Sequence, residues 1–139
     1  MKKSFFLLLM ACLALLSSSA ANAQNIKDYK TKTQTNDTER SKMLDLLRAE
    51  LYRSHKQEVQ FVVEKLNVQG DYAWFQGQVQ RKDGKAFVTE GEEDCCHVEA
   101  LLRKKSGKWY IEEMDAFSTD VWWDGIWERK KLPRELFVR

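Results

Sequence analysis

The chain has 139 residues, of which 43% are apolar and 32% are charged, and its formal net charge is +2. It contains one proline, six glycines and three cysteines. The length suits one domain, and the composition is too apolar for wholesale disorder and too poor in cysteine for a disulfide-stapled scaffold.

The amino terminus is organised like a secretory signal peptide. Lys2 and Lys3 precede an apolar run over residues 5–16, and an A-x-A cleavage site follows at 21–23. The run is shorter than the ~20 apolar residues that a membrane span needs. We therefore predict that residues 1–23 are removed during Sec-type export, and that the mature chain is periplasmic or secreted with no membrane span.

Cys12 offers an alternative, because residues 9–12 read Leu-Met-Ala-Cys and loosely resemble a lipobox. Lipidation there would leave only residues 4–11 between the lysines and the cysteine, and a long apolar stretch after the anchor. We therefore expect ordinary cleavage. It leaves Cys95 and Cys96 as the thiols of the mature chain, in an oxidising compartment.

The predicted mature chain is formally neutral. Removal of Lys2 and Lys3, and of no acidic residue, lowers the 23 basic residues to 21, which equals the 21 acidic residues. Nucleic-acid binding draws on a surplus of Lys and Arg that replaces the counterions along phosphates. The sequence therefore predicts no nucleic-acid partner.

Residues 24–37 are polar and lack the apolar surface that would offset the entropy of ordering them, so we predict a flexible lead-in. A helix is predicted from Thr38 to Arg53. Its apolar residues recur at helical spacing and form one stripe: Met43, Leu44, Leu47 and Leu51. We therefore predict that residues 38–139 form a single domain in which this stripe covers a sheet.

Four strands are predicted after the helix, at about 59–66, 72–79, 96–103 and 109–117. The phase of the first strand changes at Glu64-Lys65, which indicates a bulge. In the second strand, Tyr72 and Trp74 share the face opposite to Phe75. The connections within each pair are too short for crossover helices, so the pairs are predicted to be antiparallel.

A short C-terminal helical segment is predicted over residues 121–129, with residues 118–120 as candidate caps. Pro133 ends this segment, and Leu136-Phe137 provides a late apolar anchor. The predicted fold class is therefore α+β, with an N-terminal amphipathic helix packed on a curved four-stranded antiparallel sheet and a short C-terminal helical segment.

Several segments together resemble a family of small exported bacterial proteins. They are 61–63, 66–75, 100–103, 107–109, Asp120, Trp123 and 132–137. The order of a helix followed by a meander is similar to that of cystatin-like and NTF2-like domains. The resemblance covers about residues 39–137 and implies the fold. The family carries no catalytic residue that maps onto this sequence, so the resemblance implies no activity.

Cys95-Cys96-His97 is the most chemically suggestive stretch of the sequence. Four acidic residues precede it: Glu90, Glu92, Glu93 and Asp94. Thiolate, imidazole and carboxylate are all metal ligands. In a strand, however, Cys95 and His97 share the outer face while Cys96 faces the core, so at most two of the three could meet one ion. We predict no metal site, with Cys95 and His97 as the alternative ligand pair.

The two cysteines leave further interpretations open. A buried, inert Cys96 beside a surface Cys95 is one of them. A vicinal disulfide is another, favoured by the oxidising compartment and disfavoured because adjacent Cα atoms, ~3.8 Å apart, are closer than in ordinary disulfides. A catalytic thiol needs a low pKa and an orienting base, and nothing beyond His97 argues for one.

The tryptophans near the C terminus form the second candidate. Aromatic rings beside carboxylates suit a sugar, a cationic ligand or a protein partner. Packing is the favoured role, because buried tryptophans serve packing first. For a ligand- or partner-binding role, the candidate residues are Trp74, Trp122, Trp123, Trp127 and Asp124.

The sequence contains no G-x-S-x-G elbow, glycine-rich phosphate loop or H-E-x-x-H motif. We therefore expect an exported, non-enzymatic module that binds a protein or a small ligand without a cofactor. One alternative is an NTF2-like pocket domain with weak hydrolase- or isomerase-type activity, and another is metal or redox handling through Cys95 and His97. An open cone between helix and sheet, lined by Tyr72 or Trp74, would favour the pocket, whereas a filled interior with a bare strand edge would favour a partner.

Overall fold

A computed structural model describes residues 25–89 and 95–139. The predicted signal peptide and the alternative lipid anchor at Cys12 lie outside these residues, as do the acids Glu90, Glu92, Glu93 and Asp94. Within the described ranges, no helix combines the length and the apolar character that crossing a membrane requires.

The fold is α+β, with an open antiparallel sheet. Its strands lie side by side in chain order: β1 (Lys27–Asp28), β2 (Val59–Gln69), β3 (Tyr72–Arg81), β4 (His97–Lys105) and β5 (Lys108–Ala116). Two-residue turns join β2 to β3 and β4 to β5, and such turns can only connect antiparallel neighbours. Both turns use a glycine at positive φ, Gly70 at 55° and Gly107 at 76°.

Helix α1 (Asp37–His55) covers one face of this sheet, which we call the inner face. Asp37 and Glu39 lie in its first turn, where negative charge stabilises the helix dipole. The helix ends at His55, and the capping residue Lys56 has a left-handed backbone. It therefore begins one residue earlier and ends two residues later than the predicted range 38–53.

The space between α1 and the sheet is filled. The predicted apolar stripe is buried to at least 98%, and its members are Met43, Leu44, Leu47 and Leu51. It packs on every second residue of the central strands, including Ala73, Phe75, Ala100 and Leu102. Because the side chains interdigitate there, hydrocarbon rather than a chamber occupies the centre of the domain.

The prediction of four strands is wrong, because β1 adds a fifth at the edge of β2. β1 pairs Lys27 with Val68 and Asp28 with Asn67. It lies in the segment for which the sequence predicts a flexible lead-in, and the neighbouring Ile26 is buried. A two-residue strand held by backbone hydrogen bonds leaves no periodic pattern, so the sequence does not reveal it.

The C-terminal segment covers part of the other face, which we call the outer face. Two short helices, α2 (Ile126–Lys130) and α3 (Glu135–Val138), replace the single segment predicted over 121–129. Gly125, at a φ of 77°, precedes α2, so the predicted caps at 118–120 do not begin a helix. The predicted late anchor, Leu136-Phe137, is fully buried within α3.

Two side chains of β2 hold α3 in place. Asn67 donates its amide N–H to the carbonyl of Leu136 at 2.9 Å, and Lys65 donates its ammonium to the carbonyl of Phe137 at 3.1 Å. Carbonyls at the C-terminal end of a helix have no hydrogen-bond partner within the helix, so Asn67 and Lys65 supply the missing donors.

The register of the sheet shifts twice. The shift in β2 falls between Val63 and Lys65, where the sequence predicts a bulge. The second shift, which the sequence does not predict, falls opposite Leu101 and Leu102 and leaves Glu112 as an extra residue in β5. A bulge turns the following side chains to the other face, so Ile111 and Met114 both lie on the inner face despite their odd spacing.

Candidate functional site

The predicted tryptophans lie together on the outer face. Trp74 of β3 is completely buried, and its ring centroid lies 5.9 Å from that of Trp122, 5.6 Å from Trp123 and 4.9 Å from Phe137. Trp127 joins them through Trp123 at 6.1 Å. We call these five residues the outer aromatic cluster. It forms a second core, and the predicted candidate Asp124 lies outside it as an exposed residue.

The indole N–H groups of the cluster differ in their partners. Trp123 donates to Glu99 at 2.9 Å. The N–H groups of Trp74 and Trp122 are buried and have no hydrogen-bond partner within the described ranges. Because these rings are enclosed by other rings, the cluster serves packing first, with the Trp123 N–H as its polar attachment to the sheet.

A row of polar side chains continues the outer face beyond the cluster. We call it the polar tract, and its members are Glu64, Gln76, Gln78, His97 and Glu99. Glu99 is 6% exposed, and one of its carboxylate oxygens lies 2.6 Å from the Gln76 amide nitrogen, 2.9 Å from the Trp123 indole nitrogen and 3.1 Å from His97 Nε2.

The side chains of the polar tract link neighbouring elements through shared contacts. His97 Nδ1 lies 3.2 Å from the amide nitrogen of Gln78, so neighbouring groups contact both ring nitrogens. Three groups occupy a single oxygen of Glu99, and together they join β3, β4 and the C-terminal segment. A buried carboxylate is stabilised by such hydrogen bonds, so this arrangement holds the C-terminal segment onto the sheet.

The sulfurs of Cys95 and Cys96 lie against each other, as a vicinal disulfide would place them. They lie just before β4, which begins at His97 rather than at Cys96, and Cys96 packs against the inner core. Bonded sulfurs supply no thiolate to an ion beside His97. No group of three or more His, Cys, Asp and Glu side chains in the described part of the chain is arranged to hold a metal. The vicinal disulfide stays a prediction, which thiol labelling and intact mass with and without reductant will test.

The larger surface depressions are open grooves. One of about 390 Å³ runs between the C-terminal half of α1 and β5, and we call it the β5 groove. Its apolar lining is Leu51, Ile111, Met114 and Ala116, and its polar lining is Glu50, Ser54 and His55. No motif in the sequence predicted this groove. The signal for it was the position of β5 as the last strand of a meander, which places that strand at an edge.

β5 borders this groove as an edge strand of nine residues. Its strand partner is β4, and no other segment of the described chain pairs with its free side. Ile111 to Ala116 are all partly exposed. β5 therefore presents a row of backbone donors and acceptors next to apolar side chains.

The charges along β5 are unevenly matched. Lys130 donates to Glu112 at 2.8 Å, which holds the pKa of Glu112 below its ordinary value and raises the pKa of Lys130. Arg129 donates a hydrogen bond to the carboxylate of Glu113 at 3.4 Å. Asp115, the next outer-face acid, makes no ion pair with any described residue. The C-terminal half of β5 thus carries one unmatched negative charge.

Comparisons of the chain with protein-family models, with curated proteins and with solved structures found no match.

Proposed function

We propose that this chain is an exported, non-enzymatic binding module that takes up an extended segment of a partner polypeptide along β5. One observation carries the proposal, the nine-residue edge of β5 beside the apolar β5 groove. An extended peptide can add a strand to such an edge. Its main-chain hydrogen bonds then supply affinity, and alternate side chains that enter the groove supply specificity.

The filled interior supports a binding role over the pocket alternative. A pocket between helix and sheet would need Tyr72 or Trp74 in its lining, yet Trp74 lies on the opposite face among other rings. One oxygen of the Glu99 carboxylate contacts Gln76, His97 and Trp123, so this acid serves to attach neighbouring elements to the sheet. Metal or redox handling through Cys95 and His97 remains the second alternative, and the predicted disulfide would leave it no thiolate ligand.

Peptide selection on the intact protein tests the proposal. We would purify the chain after export from its full-length precursor and select binders from a displayed library of random nine-residue peptides. We expect selected peptides to protect from hydrogen exchange those backbone amides within residues 110–116 that point to the free side of β5, because an added strand occupies these groups. Selection of no peptide, or of peptides that leave β5 unprotected, would refute the proposal.

Two tryptophan substitutions on α1 make a matched pair. Ser54 is exposed and lines the β5 groove, so Ser54→Trp fills the groove and is expected to weaken peptide binding at least tenfold. Ala49 is exposed and lines a different groove on the other side of α1. Ala49→Trp is therefore expected to bind the same peptides as the unchanged protein does. Equal losses in both variants would contradict the proposed site.

A further inference from the structure

The charge of β5 limits which side chains a bound partner segment can carry. This inference rests on the proposed function. We infer that β5 binds an extended segment in which two apolar residues flank a lysine or arginine. The apolar residues enter the β5 groove, and the basic residue pairs with Asp115.

The alternation of β5 sets this pattern. Met114 and Ala116 lie on the inner face and line the groove, while Asp115 between them lies on the outer face. Residues directly opposite each other in antiparallel strands point to the same face, with Cβ atoms ~4.5–5.5 Å apart. An added strand therefore places an apolar side chain opposite each groove residue and a third side chain beside Asp115.

The third side chain meets negative charge. Asp115 is the cross-strand neighbour of Glu99 in β4, and Glu113 lies two residues away on the same face. Arg129 and Lys130 pair with Glu113, and His97 lies 3.1 Å from Glu99. On the helix side of the groove, Glu50 pairs with Arg53. Asp115 is the acid of this surface that an incoming cation would match.

A second copy of this chain suits the edge less well. Antiparallel pairing of two copies over residues 113–116 keeps outer-face side chains opposite each other. Asp115 would then face Asp115 or Glu113 of the other copy, and like charges directly opposite are destabilising. The bulge at Glu112 also puts the two halves of β5 out of phase, so a longer self-pairing cannot match inner faces along a regular register.

Three synthetic peptides test the inference. Each has nine residues with threonine flanks, and the centres are Val-Lys-Val, Val-Gln-Val and Val-Glu-Val. We expect the lysine peptide to bind the exported protein about 3- to 10-fold more tightly than the glutamate peptide at low salt, with the glutamine peptide between them. The difference should shrink at 1 M salt, where the screening length falls to ~3 Å.

A charge reversal provides the decisive variant. Asp115→Lys is expected to reverse the order of the three peptides. Asp124→Lys, which changes an exposed acid that is not part of β5, is expected to preserve it. An order that Asp115→Lys leaves unchanged would overturn the inference.

The outcomes separate the inference from the proposed function. Equal binding of all three peptides, with β5 protected from exchange and binding weakened by Ser54→Trp, would overturn the charge rule and leave the proposed function standing. Binding of none of them, with β5 unprotected, would count against both. A dimer in sedimentation equilibrium whose β5 amides are protected without peptide would identify a second copy as the occupant and overturn the inference.

Discussion

The two faces of the sheet are covered in different ways. One long helix covers the inner face mainly with aliphatic side chains, and Glu39 adds a polar attachment to Lys104 and Trp109. Two helices of five and four residues cover part of the outer face with aromatic rings, and Glu99, Asn67 and Lys65 attach them through hydrogen bonds. A helix of five turns can bury a continuous stripe, whereas short helices must rely on large rings and specific polar contacts.

The largest expected effect comes from removing a ring of the outer face. Phe137→Ala should lower the free energy of unfolding by about 3–5 kcal/mol, because Phe137 is fully buried between Trp74, Trp123 and Trp127. Leu47→Ala on the inner face should cost about 2–5 kcal/mol. Urea unfolding of both variants measures the two faces on one scale. A loss below about 1 kcal/mol for Phe137→Ala would show that the outer cover is dispensable.

A glycine of β3 on the inner face should give the next effect. A Cβ atom on Gly77 would lie 2.7 Å from the carbonyl oxygen of Val62 and 2.8 Å from the ring of Phe75. Neither the paired backbone nor a ring packed in the inner core can yield easily. Gly77→Ala should therefore cost about 1–3 kcal/mol in thermal or urea unfolding. Gly84 has a φ of 79°, where alanine would be strained, so Gly84→Ala is a poor control. Ala86 is exposed, and Ala86→Gly serves as the control variant instead.

The inner face has one charged attachment, and it predicts a pH dependence. The Glu39 carboxylate accepts a hydrogen bond from the Lys104 ammonium at 2.9 Å and another from the Trp109 indole N–H at 2.8 Å. These two bonds lower the pKa of Glu39 from its ordinary 4.5 to about 2. The depressed pKa adds stability above about pH 4.5, and acidification removes it between about pH 4.5 and 2. Glu39→Gln should cost about 1–2 kcal/mol at pH 7 and flatten this dependence.

Acid titration of stability, followed by circular dichroism, provides the measurement. Asp124→Asn changes an exposed acid and should leave the acid limb as it is. A Glu39→Gln protein whose stability still falls as steeply between pH 4.5 and 2 would assign that dependence to other carboxylates.

The smallest effect is expected at the contact between the outer aromatic cluster and the polar tract. Trp123→Phe keeps an aromatic ring but removes the N–H that donates to Glu99, and Gln76 and His97 still contact the same oxygen. The expected cost is about 1 kcal/mol in urea unfolding. A cost as large as that of Phe137→Ala would mean that the polar tract, rather than ring packing, holds the C-terminal segment on the outer face.

The inner face was predictable and the outer face was largely not. The stripe of α1 and the alternation of β3 obey single periods, so they indicated the helix, the sheet and the side on which Trp74 lies. The cover of the outer face has no such period. α2 begins after a glycine turn, and α3 spans one turn and depends on contacts with residues about 70 positions away in the chain, such as Asn67.

The candidate site shows the same division. The sequence identified the chemically rich residues, Cys95, His97 and the tryptophans, yet several of these pack or bond with one another. The β5 groove is lined by ordinary residues such as Leu51 and Met114, which become a surface only because the sheet stops at β5. An edge is a property of strand order across the whole sheet, which the residues lining the groove do not encode locally.

The attachment of α3 to β2 also determines how the molecule can be tethered. Arg139 lies beside Asn67, and Ile26 lies near it on the opposite margin from β5. Four strand spacings of ~4.8 Å, or roughly 19 Å, separate that margin from β5. A fusion, an affinity tag or a support joined at Arg139 would hold the protein at the margin opposite β5 and leave the unpaired side of β5 accessible.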